Sequence, residues 1–182
     1  MSDEELEELK FPQGKFKKPE LIDEETIKVW INTIQSFPEK VSTVTQGLSE
    51  AQLDWKYRPG GWSIRQLIHH CADSHMNSFI RFKLTLTEDL PTIRPYFEDR
   101  WAEMSDYLGM SIKPSLLVLE GLHERWSKLM LDLNQSDLIK EFVHPEHGHK
   151  VSLTTNIALY NWHCKHHLAH IHQAIQSQGK YN

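Results

Sequence analysis

Histidine side chains are concentrated near the C-terminal end of this chain. Five of its twelve histidines fall between Asn161 and His172, and two more, His69 and His70, are adjacent in an earlier predicted helix. Histidine is only a moderate helix former, whereas its imidazole nitrogens are among the commonest metal ligands in proteins. A cluster of this density therefore predicts a metal site.

The spacing of the C-terminal histidines suggests which of them could bind one metal ion, but it does not select a single pair. At about 100° of turn per residue, His163, His167 and His170 lie on one face of the last predicted helix. Two imidazoles four residues apart can reach a single metal ion, as in the H-E-x-x-H zinc enzymes. Because His166 and His170 have the same spacing, spacing alone leaves the pair open.

The earlier histidine pair presents a similar choice. The apolar residues of that helix centre on the side of Ile68 and Phe79, and both His69 and His70 lie off this stripe. Periodicity gives His69 a slight preference as the inward residue. A site at the rim of a bundle does not have to follow the core stripe, so this choice also stays open.

The elements that must position these side chains are predicted to be helices. Hydrophobic periodicity indicates four main helices, over about residues 23–48, 63–86, 114–133 and 154–177. Pro38 is expected to break or kink the first helix. Ser63, with Gln66 at the capping-box position, starts the second, and Thr154 or Thr155 caps the fourth.

Two irregular stretches separate these helices. Residues 87–101 contain Pro91 and Pro95, which forbid a continuous helix, and a connection of this length is a candidate pocket wall or interface. β-forming residues around Pro145 and Gly148 predict a small hairpin. The predicted fold is all-α: a four-helix bundle with long connections and a small β-hairpin before the last helix.

Size and composition fit one domain. The chain has 182 residues, of which 39% are hydrophobic, and this is enough for one core but not for two. We therefore expect a single metal-binding domain over residues 1–182, in which residues 1–20 form a polar leader along the surface.

Charge and hydropathy exclude several classes of protein. The formal net charge is −5 and the positive charges are scattered, which argues against a nucleic-acid surface. No apolar run is long enough to span a bilayer, and the acidic N-terminus does not resemble a secretory signal. Cys71 and Cys164 lie inside predicted helices, which disfavours a disulfide and indicates buried thiols. We expect a cytoplasmic protein that binds neither nucleic acid nor membrane.

Several motifs together resemble one known family. They are G-G-W-S-I-R-Q-L-I-H-H from Gly60 to His70, A-D-S-H-M-N-S after it, H-E-R-W from His123, and Y-N-W-H-C-K-H-H-L-A-H-I near the end. The chain is similar, from about Pro12 onward, to the DinB-like superfamily and within it to the YfiT group. The resemblance implies a metal-binding four-helix bundle, commonly dimeric, that acts as a metal-dependent hydrolase, with some relatives acting as thiol S-transferases.

The resemblance also implies which histidines bind the metal. The first ligand is the histidine eight residues after the Trp of the W-S motif, which is His70 and not His69. The other two are His163, which follows the Y-x-W element, and His167 four residues later. We expect one divalent transition metal per chain, zinc ahead of nickel, with positions left open for water or substrate.

Three functions from different classes follow from such a site. A dication held by neutral histidines lowers the pKa of bound water toward roughly 7 and polarises carbonyls, which predicts hydrolysis of a small molecule. The alternatives are S-transfer from a low-molecular-weight thiol such as bacillithiol, and a noncatalytic metal-binding homodimer. No general base is assigned, because Cys164 and Lys165 follow His163 where the H-E-x-x-H motif has its glutamate.

The remaining polar candidates have weaker support. Asp73, about one turn from His70, could orient an imidazole or contact substrate, and Asn77 and Tyr160 are further pocket candidates. No role is predicted for the other histidines of the predicted helices. Those of the hairpin are expected to face solvent, with a secondary metal contact as the alternative. The former are His75, His123 and His172, and the latter are His144, His147 and His149.

Overall fold

The computed structural model describes residues 1–20, 22–146 and 148–182. In these residues the chain forms helices and one two-stranded sheet, and no helix is both long and apolar enough to cross a membrane. The elements are α1 (Asp3–Lys10), α2 (Glu24–Thr45), α3 (Glu50–Leu53), α4 (Ile64–Thr87), α5 (Glu98–Trp101), α6 (Lys113–Leu131), α7 (Gln135–Leu138), β1 (Glu141–His144), β2 (His149–Ser152) and α8 (Leu153–Ser177).

The four long helices form the predicted bundle. Helices α2 and α4 each pack against both α6 and α8, so α2 and α4 occupy opposite corners of the bundle. Its core contains fully buried side chains from all four helices, among them Ile34, Phe82, Trp126 and Ile157. Because α4 lies between α6 and α8, it can bury polar side chains against either neighbour.

Helix α2 runs without interruption through Pro38, so the predicted break does not occur. A proline inside a helix removes the hydrogen bond to the carbonyl four residues earlier, which here is that of Ile34. That carbonyl instead accepts a hydrogen bond from Nδ1 of His123 on α6, at 2.6 Å. This hydrogen bond from α6 replaces the missing bond within α2, and the helix continues past Pro38.

The start of α4 is as predicted, and the start of α8 differs. Ser63 caps α4 in a capping box with Gln66, an arrangement that typically stabilises a helix by about 1 kcal/mol. The N-cap of α8 is Ser152, whose Oγ accepts a hydrogen bond from the Thr155 N–H at 3.1 Å. The predicted cap at Thr154 or Thr155 is wrong, because strand β2 leads directly into the helix and places the cap earlier.

The long connection is held by the hairpin. Strands β1 and β2 pair antiparallel, as predicted, with Phe142 opposite Val151. The connection adds to this sheet through two backbone bonds, Ile93 N–H to Val143 O at 3.0 Å and Val143 N–H to Pro91 O at 2.9 Å. These bonds fix the course of the residues that follow, including Tyr96.

The N-terminal leader, expected to be a polar segment along the surface, contains helix α1. Ser2 caps α1 in a capping box, and both α1 and the segment after it are hydrogen-bonded to α8. Trp162 Nε1 donates to the Gly14 carbonyl at 2.9 Å, and Gln173 Nε2 donates to the Leu9 carbonyl at 3.1 Å. The leader therefore covers part of the histidine-rich helix.

Candidate metal centre

The structure brings the three predicted ligands together. His70 projects from α4, whereas His163 and His167 project from successive turns of α8, where the two helices pack. Nε2 of His70 lies 3.3 Å from Nε2 of His163. One ring nitrogen from each of the three histidines lies within 4.8 Å of the others.

The donor set fits a transition metal. Two ligand atoms bound at about 2.0–2.1 Å to a tetrahedral zinc ion lie about 3.3 Å apart, close to the distance between the His70 and His163 nitrogens. Burial lowers the pKa of His70 to about 4 and places the pKa values of His163 and His167 well below the usual range. All three imidazoles are therefore neutral at pH 7, as metal ligands must be.

The other histidines with suitable spacing have different partners. His166, His167 and His170 also bring three ring nitrogens within 4.8 Å. In that group, however, Nε2 of His170 donates to the Lys10 carbonyl at 3.1 Å, and the ring of His166 stacks on Trp162 with centroids 4.3 Å apart. Nδ1 of His69 lies 2.7 Å from the hydroxyl of Ser115 on α6. This side chain therefore faces α6, whereas the two ligands His163 and His167 are on α8.

The two cysteines are buried, as predicted. Cys71 and Cys164 are each 1% exposed, and burial raises the pKa of both thiols. Cys71 also forms a possible donor group with His75 and His163, within 4.8 Å. A thiol whose pKa is raised by apolar surroundings stays protonated at neutral pH and is a poor ligand.

Two histidines that received no predicted role extend the centre into the core. His75 is 0% exposed and His123 is 1% exposed. Nε2 of His75 lies 3.0 Å from Nδ1 of His163, and Nδ1 of His75 lies 2.6 Å from Nε2 of His123. One sequence signal pointed to His123: it lies on the apolar stripe of α6 between Leu119 and Trp126, where an imidazole needs a buried partner.

An open cleft of about 390 Å³ leads to the three histidines. The rings of Trp62 and His70 pack with centroids 4.7 Å apart. Tyr96, from the long connection, lines the cleft, which confirms the predicted pocket wall. Glu98 and Glu146 are the acidic residues along the cleft, and both are exposed.

Arg81 is the basic residue along the cleft. Its side chain is half-buried, and its Nε atom is buried without a hydrogen-bond partner among the described residues. A buried guanidinium nitrogen without a partner is costly in a folded protein. Because Arg81 also lines the cleft and carries a positive charge, an anionic group of a ligand can pair with it there.

The other predicted pocket residues have mixed outcomes. Tyr160 lines the cleft, and its hydroxyl donates to the Ser74 carbonyl at 2.9 Å. Asp73 does not orient His70; it accepts a hydrogen bond from the Tyr107 hydroxyl at 2.5 Å. Asn77 donates to the Asp73 carbonyl of its own helix at 2.9 Å and is not among the residues that line the cleft.

The hairpin histidines also differ among themselves. His149 is exposed, as predicted, and so is His172 of α8. The prediction that His144 faces solvent is wrong, because this side chain is half-buried and lines the cleft. Strand β1, which contains His144, is hydrogen-bonded to the long connection that forms a wall of the cleft. This pairing accounts for the partial burial of His144. His147 lies outside the described residues.

Comparison with known proteins decides the family. A model of the DinB superfamily matches residues 33–171. The chain belongs to the DinB superfamily. A Bacillus cereus relative is 47% identical over 91% of this chain and 95% of its own length, and an Oceanobacillus iheyensis relative is 48% identical over 89% and 93%. Both carry the provisional name of metal-dependent hydrolase.

A solved structure supports the same membership. YfiT from Bacillus subtilis, described as a probable metal-dependent hydrolase with an unusual four-helix bundle topology, superposes with a TM-score of 0.91. The sequences are 41% identical, and the match covers 94% of this chain and 98% of YfiT. The chain is thus a YfiT-like member of the superfamily with the same bundle.

Proposed function

We propose that this protein is a metal-dependent hydrolase of a small molecule, with one divalent transition metal held by His70, His163 and His167. One observation carries the proposal: three neutral imidazoles from two helices converge at the base of an open cleft. Three protein ligands with free positions are the arrangement of catalytic zinc sites, whereas structural sites are closed by four. The proposed metal is zinc, with nickel as the second choice, and the proposed assembly is a homodimer.

When bound, such a metal supplies Lewis acidity and lowers the pKa of a coordinated water toward roughly 7. The chain itself supplies the walls that bind and orient the substrate. Trp62 and Tyr160 flank the three histidines with aromatic surface. Glu98 and Glu146, at the exposed side of the cleft, are the carboxylates available to take up a proton.

Two cleft residues favour a substrate with an acidic group. Arg81 places a positive charge on the wall of the cleft, and an anion is the group that pairs with it best. Burial raises the pKa of Tyr96, so its hydroxyl keeps its proton at neutral pH and can donate to an oxygen that gains charge. The proposed substrate class is therefore a small ester or amide that also carries a carboxylate or a similar anion.

Thiol S-transfer is the second candidate, and one observation favours it. Both cleft carboxylates are exposed, and neither is hydrogen-bonded to the three histidines among the described residues. Hydrolysis benefits from a base fixed near the attacking water, whereas a thiol gives up its proton readily near a dication. An acidic low-molecular-weight thiol would also suit Arg81.

A paired screen of the zinc-loaded protein separates these candidates. Esters and amides with and without a carboxylate are offered in one arm, and thiols with an electrophile such as monochlorobimane in the other. Consumption of ester or amide without added thiol supports hydrolysis. Conjugation that requires the thiol, with no hydrolysis in the first arm, would replace hydrolysis by S-transfer. A metal-loaded protein inactive in both arms would overturn the enzymatic proposal.

A further inference from the structure

We propose that His75 and His123 are positioning residues that fix the tautomer of His163, so that its Nε2 lone pair faces the metal position. This inference rests on the metal site of the proposed function. It concerns a row of three imidazoles that connects His163 to the backbone of α2 through α4 and α6.

The row begins at a backbone carbonyl that can only accept. Pro38 has no N–H to donate to the carbonyl of Ile34, four residues earlier in α2. Nδ1 of His123 lies 2.6 Å from that oxygen. Since an oxygen without hydrogen cannot donate, Nδ1 of His123 must carry the proton. A neutral His123 then has its lone pair on Nε2.

The same reasoning passes from ring to ring. Nε2 of His123 accepts, so Nδ1 of His75, at 2.6 Å, must donate to it. Nε2 of His75 is then the acceptor, and Nδ1 of His163, at 3.0 Å, must donate. Each neutral imidazole carries one proton and one lone pair, so a single carbonyl determines the tautomer of all three.

The result at the far end of the row is a lone pair on Nε2 of His163. This is the atom that lies 3.3 Å from Nε2 of His70. Ser74 Oγ, at 3.4 Å, lies on the same side of the ring. A histidine whose Nδ1–H is held by an acceptor is prepared to bind metal through Nε2, without first losing or moving a proton.

The surroundings keep the row neutral and in place. His75 and His123 are both almost completely buried, and both pack against Phe37 with ring centroids 5.3 and 5.8 Å away. Trp126 meets both rings edge-on, at 6.0 and 5.9 Å. An apolar enclosure disfavours a charged imidazolium, and it excludes water that would offer the ring nitrogens other partners.

The first experiment needs no variant. Two-bond ¹⁵N–¹H correlation spectra of metal-free, ¹⁵N-histidine-labelled protein report which ring nitrogen carries the proton. We expect His123, His75 and His163 all to be protonated at Nδ1. A His163 protonated at Nε2, or a mixture of its tautomers, would overturn the inference, whatever reaction the protein catalyses.

The second experiment measures the zinc dissociation constant of variants by competition with a chelating dye. His123→Phe keeps ring volume but removes the acceptor of His75, and we expect zinc affinity to fall by about 10–100-fold. His123→Gln places an amide oxygen near the former Nε2 position and should retain most of the affinity. His69→Phe is the matched control, since His69 is also buried and adjacent to His70 but lies outside the row.

Two outcomes distinguish the inference from the proposed function. Unchanged zinc affinity in folded His123→Phe, or equal losses in His123→Phe and His123→Gln, would show that the row does not position His163. Zinc bound by the parent at other residues would instead remove the proposed metal site. If His123→Phe does not fold, the tautomer spectra of the parent still decide.

Discussion

Nε2 of His70 lies 3.3 Å from Nε2 of His163, although 93 residues separate the two along the chain. The contact exists because α4 and α8 are neighbours in the bundle, so the geometry of the centre depends on helix packing and not on a local loop. Among the three histidines, only His163 and His167 are joined by a local i, i+4 relationship, and His70 comes from a distant part of the sequence. Substitutions can therefore test the ligand set one residue at a time.

The first prediction concerns the ligand set. His70→Ala, His163→Ala and His167→Ala should each lose the single bound metal, because removing one of three ligands leaves an ion with too few protein donors. Elemental analysis of protein purified without added metal measures this. His166→Ala is the matched control and should retain the metal, since His166 stacks between Phe11 and Trp162. Metal retained by His167→Ala and lost by His166→Ala would select the other pair.

The second prediction concerns Arg81 and the substrate. Arg81→Met keeps an unbranched, apolar stem but removes the guanidinium and its positive charge from the cleft. A hydrogen bond to a charged group contributes about 1.5–3 kcal/mol, so kcat/KM for substrates bearing a carboxylate should fall by about 10–100-fold. Neutral analogues from the same panel should be hydrolysed at unchanged rates. Equal losses for charged and neutral substrates would mean that Arg81 does not recognise an anion.

The bundle and the convergence of the three histidines followed from local signals together with family resemblance. Periodicity and the Ser63 capping box indicated the helices, because each depends on residues close in sequence. Periodicity gave His69 a slight preference over His70, but α4 has buried neighbours on two sides and both side chains are almost completely buried. Only contact with a particular neighbour distinguishes them, and single-sequence spacing does not contain that information.

The imidazole row shows the same limit more clearly. Pro38 was expected to break or kink α2, because a proline removes one hydrogen bond of the helix. This expectation considers only bonds within the helix. Here the carbonyl of Ile34, which Pro38 leaves without a donor, accepts a hydrogen bond from His123 on α6. His75 and His123 drew no attention as isolated histidines, since their role exists only between α2, α4, α6 and α8.

The third prediction concerns pH and stability. Burial lowers the pKa of His123 from 6.5 to about 4. Between these values the unfolded chain binds a proton at this position and the folded protein does not, so acid favours unfolding. The contribution of His123 to stability is therefore complete above pH 6.5, is lost as pH falls toward about 4, and changes no further below that.

Urea unfolding at several pH values measures this effect. Within that range, one proton changes the free energy of unfolding by about 1.4 kcal/mol per pH unit. His123→Phe cannot take up the proton, so its stability should fall less steeply than that of the parent by about this amount. His172→Phe, at an exposed position of α8, should keep the slope of the parent. Identical slopes for His123→Phe and the parent would contradict the prediction.

The last prediction is that hydrolysis requires the metal while the fold does not. The core of Ile34, Phe82, Trp126 and Ile157 is built by helix packing, and a chain of this size buries enough apolar surface to fold without a metal. Metal should add stability only through binding, about 2.7 kcal/mol at a concentration one hundred times the dissociation constant. Chelation should abolish activity, lower the melting temperature and leave the helical circular dichroism nearly unchanged, and added zinc should restore both activity and melting temperature. Loss of the helical signal on chelation at room temperature would identify the metal as structural and remove the support for catalysis.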